Sequence, residues 1–139
     1  MKGRIYFGHP INTYDTQLER FLLAQIAACF PNLEIENPNQ KHHADGYRRY
    51  SASGGKGIDY YFREVLPACT EGIFLPFRDG AWGAGVFGEA KYLADRGCPI
   101  CQMTHEGFIS SVDLDSIRAL TVEETRFRIR TLNGKVAPY

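Results

Sequence analysis

Apolar and polar positions follow two periods along this chain, one typical of buried strands and one typical of amphipathic helices. Short apolar runs predict strands at 4–7, 33–35, 72–77 and 98–103. Helical spacing of apolar residues predicts helices at about 14–30, 59–68, 86–96 and 121–130. The segment 39–57 shows neither period, and we expect it to form a long polar loop of functional importance.

Residues that favour helix ends refine these boundaries. Asp15 or Thr13 is placed to cap the first helix, and Asp59 is placed to cap the second. Gly97 is expected to end the third helix as a left-handed residue. The run Thr121-Val-Glu-Glu124 is a capping box that opens the last helix.

The alternation of strands and helices predicts an α/β fold in a single domain over residues 1–139. We expect a Rossmann-like (flavodoxin-like) parallel sheet of about four to five strands with helices on both faces. Ligands bind such sheets at the carboxyl ends of the strands. Three loops are expected to meet there: residues 8–12, the segment before Asp59, and residues 78–85.

Charge and hydropathy narrow the class of partner. The chain has 16 basic and 16 acidic side chains, so its formal net charge is zero, which argues against binding to a nucleic-acid polymer. No apolar run is long enough to span a membrane, and the first residues do not resemble a signal peptide, so we expect a cytoplasmic protein. The histidines lack the spacing of a metal site, and no metal or organic cofactor is predicted.

The most informative segment runs from Leu75 to Ala90. A strand ends, the backbone turns through several glycines, and Glu89 follows in what we expect to be the first turn of a helix. Amides at a helix start favour an ionised carboxylate, and an ionised carboxylate can attack a sugar carbon. The alternative is that Glu89 only complements the helix dipole.

Four short segments of the chain resemble those of a known enzyme superfamily. The runs Ile5-Tyr-Phe-Gly-His-Pro10, Gly72-Ile-Phe-Leu-Pro76, Gly83-Ala-Gly-Val-Phe-Gly-Glu-Ala90 and Gly97-Cys-Pro-Ile100 are similar to the nucleoside 2-deoxyribosyltransferase superfamily. That superfamily includes nucleoside 5′-monophosphate N-glycosidases. The resemblance spans roughly residues 4–101.

The resemblance implies roles for particular side chains. Glu89 matches the nucleophile that forms a glycosyl-enzyme, and Tyr6 matches the tyrosine that hydrogen-bonds this glutamate. The family's acid/base carboxylate lies on the helix before the central strand, where Asp59 and Glu64 are both candidates. Asp59 is preferred because it follows a glycine-rich loop, and Asp79 is a third candidate for protonating the departing base.

The loops at the strand ends supply the residues that we expect to bind the substrate: Gly8, His9, Pro10, Asn12, Asp79, Trp82, Gly83 and Gly85. Asp79 is the nearest match to a base-contacting aspartate, although it lies further from Glu89 than the family pattern expects. Trp82 is placed to stack on a base. The first loop lacks the family's phosphate-binding arginine, so a phosphate is expected to use His9, Asn12, glycine amides or the basic segment 42–49.

The predicted function is cleavage of the N-glycosidic bond of a nucleoside or nucleoside 5′-monophosphate, with retention of configuration, followed by hydrolysis or base transfer. The resemblance implies a homo-oligomer in which a chain end such as Tyr139 reaches a neighbouring pocket; a frayed tail is the alternative. A different class of function is a non-catalytic nucleotide-binding sensor of Rossmann-like fold.

Overall fold

The computed structural model describes residues 2–139 and contains one five-stranded sheet with four α-helices. The strands are β1 Gly3–Gly8, β2 Leu33–Glu36, β3 Glu71–Phe74, β4 Ile100–Met103 and β5 Ile109–Ser111. The helices are α1 Gln17–Cys29, α2 Lys41–Ala52, α3 Ala84–Asp95 and α4 Val122–Ile129. Shorter helical pieces are the 3₁₀ turns Ile11–Thr13, Leu66–Ala68 and Leu114–Ser116 and the π-helix Tyr61–Val65.

The strand order is β2-β1-β3-β4-β5, which confirms the predicted α/β fold of Rossmann-like type. The first four strands are parallel and β5 runs antiparallel to β4. The chain leaves β1 toward one edge of the sheet and leaves β3 toward the other edge. This reversal opens a crevice at the carboxyl ends of β1 and β3, where open α/β sheets bind ligands.

The side chains of β1 alternate between two cores, as strand geometry requires. Ile5 and Phe7 pack with Leu22 and Ile26 of α1 on one face of the sheet. Tyr6 points to the opposite face, where Phe74 and the residues of α3 form the second core. The period of two along β1 therefore aims Tyr6 at α3.

The predicted polar loop at 39–57 was wrong, because residues 41–52 form α2. His43 and Gly46 are buried on its inner face, and a Cβ at Gly46 would collide with the ring of Tyr60. Tyr50 continues this face one turn later and packs against the same core. The face was missed because it consists of His, Gly and Tyr rather than aliphatic residues.

Three helix starts also differ from expectation. The side chain of Thr16 caps α1, in place of Thr13 or Asp15. Asp59 makes no capping hydrogen bond, although residues 59–68 are helical as predicted. Helix α3 begins at Ala84 rather than near Val86, so Glu89 lies in its second turn.

Other predicted features are confirmed. Gly97 has φ 78° directly after the end of α3, and Thr121 and Glu124 form the reciprocal capping box of α4. The antiparallel strand β5 was not predicted, because three residues are too short for a recognisable period. Within residues 2–139, none of the helices has the length and apolar character needed to cross a membrane.

Candidate active site around Glu89

Glu89 and Tyr6 meet at the carboxyl end of the sheet. Tyr6 is completely buried on β1, and its hydroxyl donates a hydrogen bond to Oε2 of Glu89. Glu89 reaches back from the second turn of α3 and keeps part of its surface accessible. The contact implied by the family resemblance is therefore present, and it fixes one carboxylate oxygen of Glu89.

Gly8 makes room for this carboxylate. A Cβ at position 8 would lie 2.5 Å from Cδ1 of Phe74 and 3.2 Å from Oε1 of Glu89. Any larger residue would press on both the core ring and the carboxylate, because packed interiors leave no space for an added carbon. Glycine is required here for close approach, in keeping with its place in the predicted site.

Two further tyrosines lie near Glu89, and sequence reasoning did not identify them. Burial, and then the charge of Glu89, raise the pKa of Tyr14 well above its usual range. The same two causes raise the pKa of Tyr61 to about 12. Both hydroxyls therefore stay protonated at neutral pH and are able to donate hydrogen bonds to a ligand.

The environment of Glu89 differs from that expected at a helix start. Burial raises the pKa of Glu89 to about 7, and the hydrogen bond from Tyr6 opposes part of this rise. The expectation that helix amides hold Glu89 ionised was wrong, because the side chain lies beyond the first turn, where the dipole effect fades. At neutral pH the carboxyl group therefore exchanges readily between its two protonation states, as a catalytic group needs.

The three candidate acids lie in different surroundings. Asp79 forms two hydrogen bonds of 2.8 Å with Arg128, and this guanidinium holds the pKa of Asp79 well below its usual range. Glu64 is exposed beside Tyr50, and its proximity raises the pKa of that tyrosine. Asp59 is partly exposed, and among residues 2–139 its side chain forms no hydrogen bond or ion pair. None of the three contacts Glu89.

The side chain of His9 is buried, and both of its ring nitrogens have partners within the protein. Nδ1 lies 2.9 Å from the carbonyl oxygen of Phe7, and Nε2 lies 2.7 Å from Oε2 of Glu19. The ring also stacks on Phe7 at 4.0 Å, and Pro10 is buried beside it. The expectation that His9 holds a phosphate is therefore not met, because both ring nitrogens are engaged and shielded from solvent. Glu19 was missed, although it shares the buried stripe of α1 with Leu22 and Ile26.

Trp82 does not face the crevice. Its side chain is completely buried, and its ring packs 5.8 Å from that of Phe74. The expectation that Trp82 stacks on a base was wrong, because the turn folds inward to pair with Ala119.

Gly83 is buried at the start of α3, whereas Gly85 has no heavy atom within 4 Å of where a Cβ would lie. Gly85 therefore keeps open space on the first turn of α3.

A cleft of about 370 Å³ lies at the same edge of the sheet. It is lined by Asn12, Phe77, Arg78, Asp79, Arg128, Pro138 and Tyr139. Asn12 donates to the carbonyl oxygen of Arg128 at 3.3 Å, but its buried Oδ1 has no hydrogen-bond partner in the described residues. Arg78 lies 5.0 Å above the ring of Tyr139. Cationic, amide and aromatic groups therefore meet in one concave surface.

The chain end completes this cleft within its own subunit. The hydroxyl of Tyr139 lies 2.6 Å from Nε2 of His105, and its ring stacks on Phe77. The tail is therefore not frayed. Arg128 joins α4 to the turn after β3 through its hydrogen bonds to Asp79. The segment 11–14 links the two regions, because Asn12 lines the cleft and Tyr14 lies near Glu89.

The fold and site together define an α/β protein with a partly accessible carboxylate, held by a buried tyrosine, at the switch point of a parallel sheet. Comparisons with protein-family models, with curated proteins and with solved structures return no significant match to this chain.

Proposed function

We propose that this protein cleaves the N-glycosidic bond of a nucleoside or nucleoside 5′-monophosphate, with Glu89 as the nucleophile. The observation that carries the proposal is the Tyr6–Glu89 hydrogen bond at the carboxyl end of β1. It holds one carboxylate oxygen in place and leaves Oε1 beside Gly8. A fixed carboxylate that faces a crevice has the form needed to capture a sugar carbon with oxocarbenium character.

In the proposed first step, a carboxylate oxygen of Glu89 forms a bond to C1′ while the C1′–N bond breaks. The base leaves with the bonding electrons and takes a proton from an acid. Asp59 remains the preferred acid because Arg128 holds Asp79 as a stable anion and Glu64 faces Tyr50 on the exposed surface. Water, or a second base, then attacks C1′ and gives a proton to the carboxylate that acted as the acid, while the C1′–O bond to Glu89 breaks.

The tyrosines near Glu89 suit a positioning role in this reaction. Their pKa values are raised, so Tyr14 and Tyr61 are hydrogen-bond donors rather than bases at neutral pH. The neighbouring cleft supplies Asn12 and Arg78 for the remainder of the substrate. Arg78 is the cation best placed to contact a 5′-phosphate there, since Arg128 is already paired with Asp79.

The test is a chromatographic screen of nucleosides and nucleoside 5′-monophosphates, with and without an acceptor base. Wild-type protein is expected to release free base, and Glu89→Gln is expected to lower the rate on the order of 10³-fold or more. Asp95→Asn is the matched control, because it neutralises an exposed carboxylate on the same helix. With a slow substrate, mass spectrometry is expected to find the sugar attached to the peptide that contains Glu89.

Each outcome of the screen decides between functions. If wild-type protein released no base from any compound, or if Glu89→Gln were as active as wild type, the catalytic proposal would be wrong. Binding of a nucleotide without base release would instead identify a non-catalytic sensor. Products without and with an acceptor base separate hydrolysis from transfer.

A further inference from the structure

Three potential metal ligands converge where β2 leads into α2, outside the Glu89 site. Glu36 is the last residue of β2, and His42 and His43 lie in the first turn of α2. One ligand atom from each of the three side chains lies within 4.8 Å of the others. Sequence spacing did not predict this group because the two histidines are adjacent, and only the fold brings Glu36 beside them.

His43 is the buried member of this group, and its Nε2 faces Glu36. The side chain is only 2% exposed, and Nε2 has no hydrogen-bond partner among the described residues. Oε1 of Glu36 lies 3.4 Å from this nitrogen, without the geometry of a hydrogen bond. A buried polar atom without a partner is costly to the fold and calls for an explanation.

The 3.4 Å between Nε2 of His43 and Oε1 of Glu36 fits two ligand atoms bound to one metal ion. Ligands held about 2.0–2.2 Å from zinc at the tetrahedral angle lie about 3.3–3.6 Å from each other. The imidazole of His42 lies next to that of His43, with ring centroids 3.9 Å apart, and is exposed. One ring nitrogen of His42 lies within 4.8 Å of both other ligand atoms.

A second residue orients the buried imidazole. The hydroxyl of Tyr60 lies 2.7 Å from Nδ1 of His43, and Tyr60 is itself buried. Metal-bound histidines are commonly held in this way through the nitrogen that does not bind the metal.

We infer that Glu36, His42 and His43 form a binding site for a divalent transition-metal ion of the zinc class. Two imidazole nitrogens and one carboxylate oxygen suit zinc, and three protein ligands leave a fourth position for water. Arg4 lies 3.9 Å from Glu36 but also pairs with Glu34 at 3.3 Å, so it retains an anionic partner when Glu36 binds the ion. The inference does not depend on the proposed glycosidase activity.

The experiment is a titration of the full-length, chelator-treated protein with Zn²⁺ and separately with Co²⁺. One equivalent of Zn²⁺ is expected to bind and to raise the melting temperature. The Co²⁺ complex is expected to show the visible bands of a four-coordinate site, without a thiolate charge-transfer band. This spectrum separates the proposed site from binding by the free cysteines, of which Cys29 is exposed.

Four variants localise the site. His42→Ala changes an exposed side chain and is expected to weaken Zn²⁺ binding about 100-fold or more, as is Glu36→Gln. Tyr60→Phe is expected to weaken it about 10–100-fold through the orientation of His43. His105→Ala, which removes a histidine elsewhere, is expected to bind as wild type does.

The inference would be overturned if the wild-type protein bound neither metal at micromolar concentration. It would also be overturned if His42→Ala and Glu36→Gln both bound as tightly as wild type, or if Cys29→Ser removed the binding.

Discussion

The hydroxyl of Tyr6 donates a hydrogen bond to the carboxylate of Glu89, across 83 positions of the chain. The donor lies on the first strand and the acceptor on α3, so the contact forms only when β1, β3 and α3 are packed together. It attaches a partly accessible carboxylate to a completely buried ring. The position of the carboxylate that we propose as the nucleophile therefore depends on the packing of the core.

Tyr6→Phe is expected to lower base release about 10–100-fold while leaving the fold intact, because the ring stays in the core against Phe74. The hydrogen bond from Tyr6 lowers the pKa of Glu89, so its loss raises that pKa above about 7. The ascending limb of the pH–rate profile is therefore expected to move to higher pH. An unchanged midpoint would show that Tyr6 does not act on the nucleophile.

Glu89→Gln is expected to stabilise the protein above pH 7 and to change its stability little below pH 4.5. The pKa of Glu89 is raised from 4.5 to about 7, so the folded state binds more protons than the unfolded state between these values. Wild-type stability therefore falls as pH rises through this range, by up to about 3 kcal/mol. Melting temperatures at pH 5 and pH 8 test this: Glu89→Gln should lose this fall in stability, whereas Asp95→Asn, which keeps Glu89, should show it as wild type does.

Gly8→Ala is expected to destabilise the protein by about 1–3 kcal/mol, because the new Cβ would press on Phe74 and on Glu89. Gly85→Ala is expected to stabilise it by up to about 1 kcal/mol, since it adds a helix-forming residue where no atom lies within 4 Å. Both variants are expected to lose base release, the first by displacing Glu89 and the second by filling space that the substrate uses. Urea unfolding and the base-release assay separate the two effects.

Glu19→Ala is expected to destabilise the protein by about 1–3 kcal/mol, because it leaves the buried Nε2 of His9 without its partner. Burial alone would raise the pKa of Glu19, but hydrogen bonds from His9, from the Asp15 amide and from Asn39 lower it below 4.5. The stabilisation is present above pH 4.5 and is lost as pH falls through the lowered pKa. In the less disruptive variant Glu19→Gln, the free energy of unfolding should therefore fall less than in wild type as the pH is lowered. Glu123→Ala, on the exposed face of α4, should leave this pH dependence as it is in wild type.

The local pattern of residues in the sequence determined most of the strands and several of the helix ends. The apolar runs located four of the five strands, and Gly97 and the Thr121–Glu124 capping box marked the helix ends where the structure has them. These features depend on a few neighbouring residues and on backbone geometry. The resemblance of short motifs was also enough to pair Tyr6 with Glu89.

Tertiary structure decided what those local features could not. Trp82 and His9 stand in loops by sequence but are enclosed by residues distant in the chain, so neither is available to a ligand. Burial, and not the helix start, sets the pKa of Glu89. The approach of Glu36 to His43 likewise arises only when α2 docks beside β2. Burial and long-range proximity are properties of the packed chain, and they have no local signal in the sequence.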